Sequence, residues 1–201
     1  MKISQDWSPS ELGRELLRTA SSGPNGSAGT YGRSVAGAAL RFFALGRGRR
    51  RLLLTAAHHA NEWITAPLLL RFAGELAAGV WPGALDGTRV LFAPLVNPDG
   101  ARLVTGELAS GPLFENARRI AEKYPDIPFP DGWKANLRGV DLNLQYPAGW
   151  EEAKKIKFAA GWTGPAGLRG RGPALRAGGP GALPPDPPHL AGARHSPAHA
   201  G

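Results

Sequence analysis

The chain has 201 residues, 42% hydrophobic and 20% charged, the balance of a soluble globular protein with length for one domain and a sizeable core. It contains no cysteine, which excludes disulfides and thiolate ligands and leaves His, Asp and Glu for any metal. The formal charge is +8, but the arginines are scattered without an aromatic-interleaved patch or a basic helical stripe, so no nucleic-acid partner is expected.

"MKISQDWSPSELGRELL" has no apolar signal core and no small-residue cleavage site. No apolar run is long enough to span a bilayer. A cytoplasmic protein without a membrane partner is expected. "SPSELGRELLRTA" reads as a helix, with Ser8 and Glu11 as a capping box, Pro9 at the first helical position, and Leu12, Leu16 and Leu17 on one face. "SSGPNGSAG" is a loop, and "TYGRSVAG" with "ALRFFALG" makes a hairpin broken at Gly37. "RLLLTAA" is a continuous apolar run, the pattern of a strand buried on both faces. Thr65 to Ala78 follows helical spacing and stops at Gly79.

A second buried strand, Arg89 to Val96, closes on the turn "NPDG"; a helix is expected over Leu113 to Tyr124, and a third short strand within "RGVDLNLQYP", ending near Asn143. Strands alternating with helices indicate an α/β domain with a mixed or largely parallel sheet. Ligands in such sheets bind at the carboxyl ends of strands, where the two histidines His58 and His59, Asn97 and Asn143 fall. After Ala166 the sequence is Gly, Pro and Ala without hydrophobic period, too poor in apolar surface to offset its ordering entropy, so residues 166–201 are expected to be disordered.

His59 and Glu62 form an H-x-x-E pair at a strand-to-helix turn. A neutral imidazole and a carboxylate are good zinc ligands, and two donors at one turn can converge on an ion. His58 is the rival, but three residues on it meets Asn61, a poor zinc ligand, so it reads as a packed neighbour. Asn97, Asp99 and Asp141 read as structural: "NPDG" is good turn chemistry, and Asp141 is placed to hold a backbone group or a ligand imidazole.

"HHANEW", "VNPDGAR" and "WKANLRGVDLNLQYP" follow one another in this order. Together they make the chain, over Gly32 to Pro165, resemble the zinc metallocarboxypeptidases, and within them the bacterial branch that looks like γ-D-glutamyl-diaminopimelate endopeptidases. The resemblance implies a zinc-dependent hydrolase of peptide amide bonds, with peptide as partner and peptidoglycan stem peptides in view. It implies that His59 and Glu62 are the first two zinc ligands, that Arg138 holds the oxyanion, and that Arg138 and Asn143 fix the substrate. Where exopeptidase members have Asn-Arg, this chain has Asn143-Leu144. A leucine cannot grip a free C-terminal carboxylate, which points away from trimming of ordinary peptides.

The mechanism also needs a third protein ligand and a general base. No glutamate follows Glu152, and His189, His195 and His199 follow no apolar run. Read one nucleotide later, GC-rich codons for Ala174 to Pro184 permit "LSEPEARALY", and those for Ala198 to Gly201 permit "HTQG", which looks like the family's third-ligand motif. The expectation is a frameshift near Ala166 with premature termination. It leaves residues 1–165 as the N-terminal part of a mixed, largely parallel α/β sheet flanked by helices, with an exposed apolar sheet edge. Such a chain is expected to be inactive or nearly so; the alternative is a fragment that binds peptide or metal without catalysis.

Overall fold

The computed structural model describes residues 8–146, 151–152 and 155–156. Helix α1 (Pro9–Ser22) starts as its sequence dictates: the Ser8 hydroxyl accepts from the Glu11 main-chain N–H at 3.2 Å, and the Glu11 carboxylate accepts from the Ser8 N–H at 3.0 Å. Two otherwise unmet amide donors are satisfied in this way. The buried face is Leu12, Leu16, Thr19 and Ala20, whereas Leu17 is 41% exposed. Leu17 lies one residue, about 100°, past Leu16, so Ala20 rather than Leu17 continues the stripe.

Among the described residues, four strands form one mixed sheet in the order β1-β2-β4-β3. β1 (Ser27–Arg33) and β2 (Ala39–Leu45) are the expected hairpin, reversing through Gly37 at φ +83°. β2 runs antiparallel to β4 (Thr88–Ala93), and β4 runs parallel to β3 (Arg50–Thr55). The parallel pair is closed by helix α2 (Thr65–Ala77), whose C-terminus turns at Gly79 with φ +72°. α1 and α2 cover one face, burying Phe43, Leu45, Val90 and Phe92. Phe43 and Phe92 stack with centroids 4.7 Å apart, so neighbouring strands are also locked through their side chains.

β4 is buried along its whole length, as its apolar run predicts. β3 is not: it lies at the edge of the described sheet, with Leu52 48% and Leu53 39% exposed. Burial on both faces is therefore corrected to an exposed apolar edge. After β4 the chain continues into helix α3 (Pro98–Val104), so "NPDG" is a helix start with Asn97 as its cap and not a closing turn. Helix α4 (Pro112–Ala121) ends three residues before the predicted stop at Tyr124. The expected strand before Asn143 is absent; a 3-10 turn, Leu142–Leu144, follows extended chain. α3 and α4 share a second core with Ala60, Trp133 and Leu137, which seats residues 133–137 beside the end of β3. The tail from residue 166, with His189, His195 and His199, lies outside the described residues.

Candidate functional site

β3 and β4 are parallel, so their C-terminal ends open on the same side of the sheet. Beyond β3, Ala57 adopts φ +51°, a left-handed conformation that costs an L-residue about 1–2 kcal/mol. It is held there from several directions. Its N–H donates to the Thr65 hydroxyl at 2.9 Å, its carbonyl accepts from the Asn97 N–H at 3.0 Å, and Thr65 Oγ1 in turn donates to the Glu62 carbonyl at 2.8 Å. A 3-10 turn, Ala60–Glu62, then leads towards α2. Residues three apart are eclipsed in that geometry, which sets the Glu62 side chain over His59.

His59 Nδ1 and Glu62 Oε1 are 3.0 Å apart. On the other ring nitrogen, the buried Asp141 carboxylate lies 3.4 Å from Nε2. Each ring nitrogen of His59 thus faces a carboxylate, and the pair at Nδ1 can be bridged by a proton or by a cation. These donors suit zinc as two ligands of a set, and Asp141 suits the carboxylate that steadies a ligand imidazole. Among the described residues, no group of three or more His, Asp or Glu completes a metal site.

The neighbouring imidazole of His58 bonds through Nε2 to the Tyr146 hydroxyl, with the two rings tilted and 5.7 Å apart. Burial, and then the adjacent His59, hold the His58 pKa below the ordinary histidine value, while Glu62 opposes them. His58 thus ties the turn to the segment carrying Asp141 and Asn143. Asp141 anchors that segment further: its Oδ1 accepts from the Asn143 N–H at 3.0 Å and its carbonyl from Gln145 Nε2 at 2.9 Å. Asn143 itself is exposed. Arg138 sits on a loop built by Asn136, whose Oδ1 accepts from the Arg138 and Val140 N–H groups, with Gly139 at φ +76° completing the turn. The Arg138 side chain is exposed and has no hydrogen bond or ion pair among the described residues.

Asn97 and Asp99 act inside the scaffold. Asn97 Oδ1 caps α3 by accepting from the Gly100 N–H at 3.1 Å, while its Nδ2 donates to the carbonyls of His58 at 3.2 Å and Ala135 at 3.0 Å. Asp99 accepts from the Ser34 hydroxyl and the Ala36 N–H, pinning the β1–β2 reversal. A cavity of about 190 Å³ between α1, β2 and α3 is not lined by His59, Glu62 or Asp141; the candidate site is an open turn. Three contributors went unnoticed in the sequence: Thr65, Gln145 and Tyr146. Thr65 could have been found as a hydroxyl at a helix start; the Tyr146 contact spans 88 positions and leaves no local signal.

The family model described as zinc carboxypeptidase matches residues 16–167. The chain belongs to the zinc carboxypeptidase family. Among curated relatives it is 36% identical over 130 residues to gamma-D-glutamyl-L-diamino acid endopeptidase 1 of Lysinibacillus sphaericus, covering 60% of this chain and 32% of that protein. It is 32% identical over 180 residues to the uncharacterized protein YqgT of Bacillus subtilis strain 168, covering 80% of this chain and 47% of the relative. The chain thus spans between about a third and a half of the curated relatives it matches. Thrombin-activatable fibrinolysis inhibitor has a similar fold, with a TM-score of 0.50 at 18% identity over 70% of this chain and 34% of that one. The fold is therefore that of a zinc carboxypeptidase α/β sheet with helices on it, and the family implies zinc. Among the described residues, no helix is long and apolar enough to cross a membrane.

Proposed function

We propose that this chain carries the first metal-binding arm and the substrate-orienting arm of a zinc metallopeptidase acting on γ-D-glutamyl-diamino acid linkages of cell-wall-type peptides. The observation that carries the reading is the pairing of His59 Nδ1 with Glu62 Oε1 at 3.0 Å, backed by Asp141 on the far ring nitrogen. His59 and Glu62 would hold the ion. Bound zinc supplies Lewis acidity to amide hydrolysis. The exposed Arg138 guanidinium is free to meet the developing negative charge on a scissile carbonyl. Asn143, fixed through its backbone by Asp141, offers an amide to the substrate main chain. Leu144 follows where a carboxylate grip would need a cation, which favours an internal bond over C-terminal trimming.

Among the described residues no group of three or more His, Asp or Glu completes a metal site, and the proposal is for binding of metal and peptide without turnover. The family match ends at residue 167, which supports a boundary near residue 166 between the peptidase-like part, 1–165, and a tail of different character. The coding DNA tests the frame directly: restoring one frame after Ala166 should yield continuous family-like sequence, through a third histidine and a glutamate.

Function is tested by calorimetric titration of the zinc-supplemented chain with a γ-D-glutamyl-diaminopimelate peptide, followed by product analysis. Binding should occur without cleavage, and Arg138→Ala should weaken it about ten-fold. Equal affinity for an α-linked peptide of the same charge would refute the substrate class. Cleavage would refute the non-catalytic reading.

A further inference from the structure

Where β3 leaves the sheet, one hydroxyl grips both ends of the turn that carries His59 and Glu62. The parallel ladder runs on as far as Ala56, whose N–H donates to the Ala93 carbonyl at 3.2 Å. At Ala57 the backbone swings to φ +51°, and its N–H leaves the ladder to donate to Thr65 Oγ1 at 2.9 Å. The same oxygen donates its own proton to the Glu62 carbonyl at 2.8 Å. A side chain of this size can accept and donate at one atom only as a hydroxyl. Ala57 is buried, and a buried N–H without an acceptor is costly. Thr65 is the first residue of α2, the helix seated on the sheet through Ala66 and Leu70. The hydroxyl therefore refers the turn to a packed element rather than to another loop. The Lys134 and Trp133 carbonyls, accepting from the Ala60 and Asn61 N–H groups, hold the middle of the turn; Thr65 holds its ends.

We propose that Thr65 is a positioning residue for metal binding: its hydroxyl, acting through Ala57 and the Glu62 carbonyl, keeps the His59 and Glu62 side chains facing each other across the 3.0 Å between Nδ1 and Oε1. The inference rests on the reading of His59 and Glu62 as a zinc half-site. A left-handed alanine is unfavourable on its own and persists only where its neighbours enforce it. Two bonds do so here: the Asn97 N–H donates to the Ala57 carbonyl, and Thr65 accepts from the Ala57 N–H. Loss of the second lets Ala57 return to negative φ, and His59, two residues on, is re-aimed with it. The Glu62 carbonyl is released at the same time, so both ligands lose their setting from a single change. Groups that orient metal ligands without touching the ion typically contribute about 10–100-fold to its affinity.

Two readouts on the full 201-residue chain test the proposal. Thr65→Val keeps the branched shape and deletes both bonds, whereas Thr65→Ser keeps the hydroxyl; Thr65→Ala serves if the valine variant fails to fold. In the metal-free chain, amide hydrogen exchange in Thr65→Val should quicken at Ala57 and Glu62 at least about ten-fold more than at Val90 and Phe92 of β4. Zinc affinity, measured by competition with a chromophoric chelator, should fall at least about ten-fold in Thr65→Val and return to within about three-fold of the parent in Thr65→Ser. Leu16→Ala, in the core under α1, lowers the thermal midpoint and leaves zinc affinity unchanged, which separates positioning from loss of stability. Zinc affinity indifferent to Thr65→Val, or unchanged exchange at Ala57, overturns the proposal. So does a Thr65→Ser chain as weak as Thr65→Val. A parent chain that binds no zinc overturns the half-site reading, and the proposal with it, even where exchange shows that the hydroxyl holds the turn.

Discussion

Asn97 is 2% exposed, and both ends of its amide are engaged: the oxygen caps α3, and the nitrogen joins the His58 and Ala135 carbonyls. It is the side chain through which β4, the histidine turn and the 133–137 segment meet. Asn97→Ala would remove a cap worth about 1 kcal/mol and leave a buried and a part-buried carbonyl short of a donor. The combined loss should be about 2–4 kcal/mol, read as a lowered denaturation midpoint. An unchanged midpoint would mean that the segments are held together elsewhere. The polar, structural role of this residue was legible in "NPDG", but its exact use was not, because Asx-Pro chemistry suits a turn and a helix start equally. His59 and Glu62 were legible for the opposite reason: their geometry is set by three residues of local chain. Tyr146 was invisible because its contact with His58 is made only by the completed fold.

At the scale of elements, α1 is specified locally and β3 is not. The capping box holds the Glu11 carboxyl below its ordinary value of 4.5, chiefly through the Ser8 N–H. A depressed carboxyl contributes stability that is fully present above pH 4.5 and lost as pH falls through the folded-state value. Glu11→Gln should therefore flatten the acid limb of the stability curve below pH 4.5 and leave the shape above it unchanged, as thermal unfolding at a series of pH values would show. An acid limb as steep as in the parent chain would assign it to other carboxylates. For β3, the continuous apolar run predicted a strand correctly and its place in the sheet wrongly, since such a run records what a strand is suited to touch and not which neighbours are present. The segment before Asn143 failed differently. Gly139 and the Asn136 turn take up backbone hydrogen bonds that a strand would need, so the chain arrives extended and outside the described sheet.

Across the whole molecule, the order of three motifs carried more information than any one of them. "HHANEW" ends the edge strand, "VNPDG" ends its parallel neighbour, and "WKANLRGVDLN" runs back past both, its Lys134 and Trp133 carbonyls accepting from the Ala60 and Asn61 N–H groups. The fold thereby brings Asp141 to His59 across 82 positions of chain. The proposal built on this arrangement is a zinc-binding half-site formed by His59 and Glu62. The most direct measurement is thermal unfolding of the chain over a zinc titration, alongside His59→Ala and Glu62→Ala. A ligand that binds only the folded state raises the midpoint in proportion to the logarithm of its excess concentration. The account predicts a zinc-dependent rise in the parent chain that is lost in both variants. A rise of the same size in His59→Ala would contradict it.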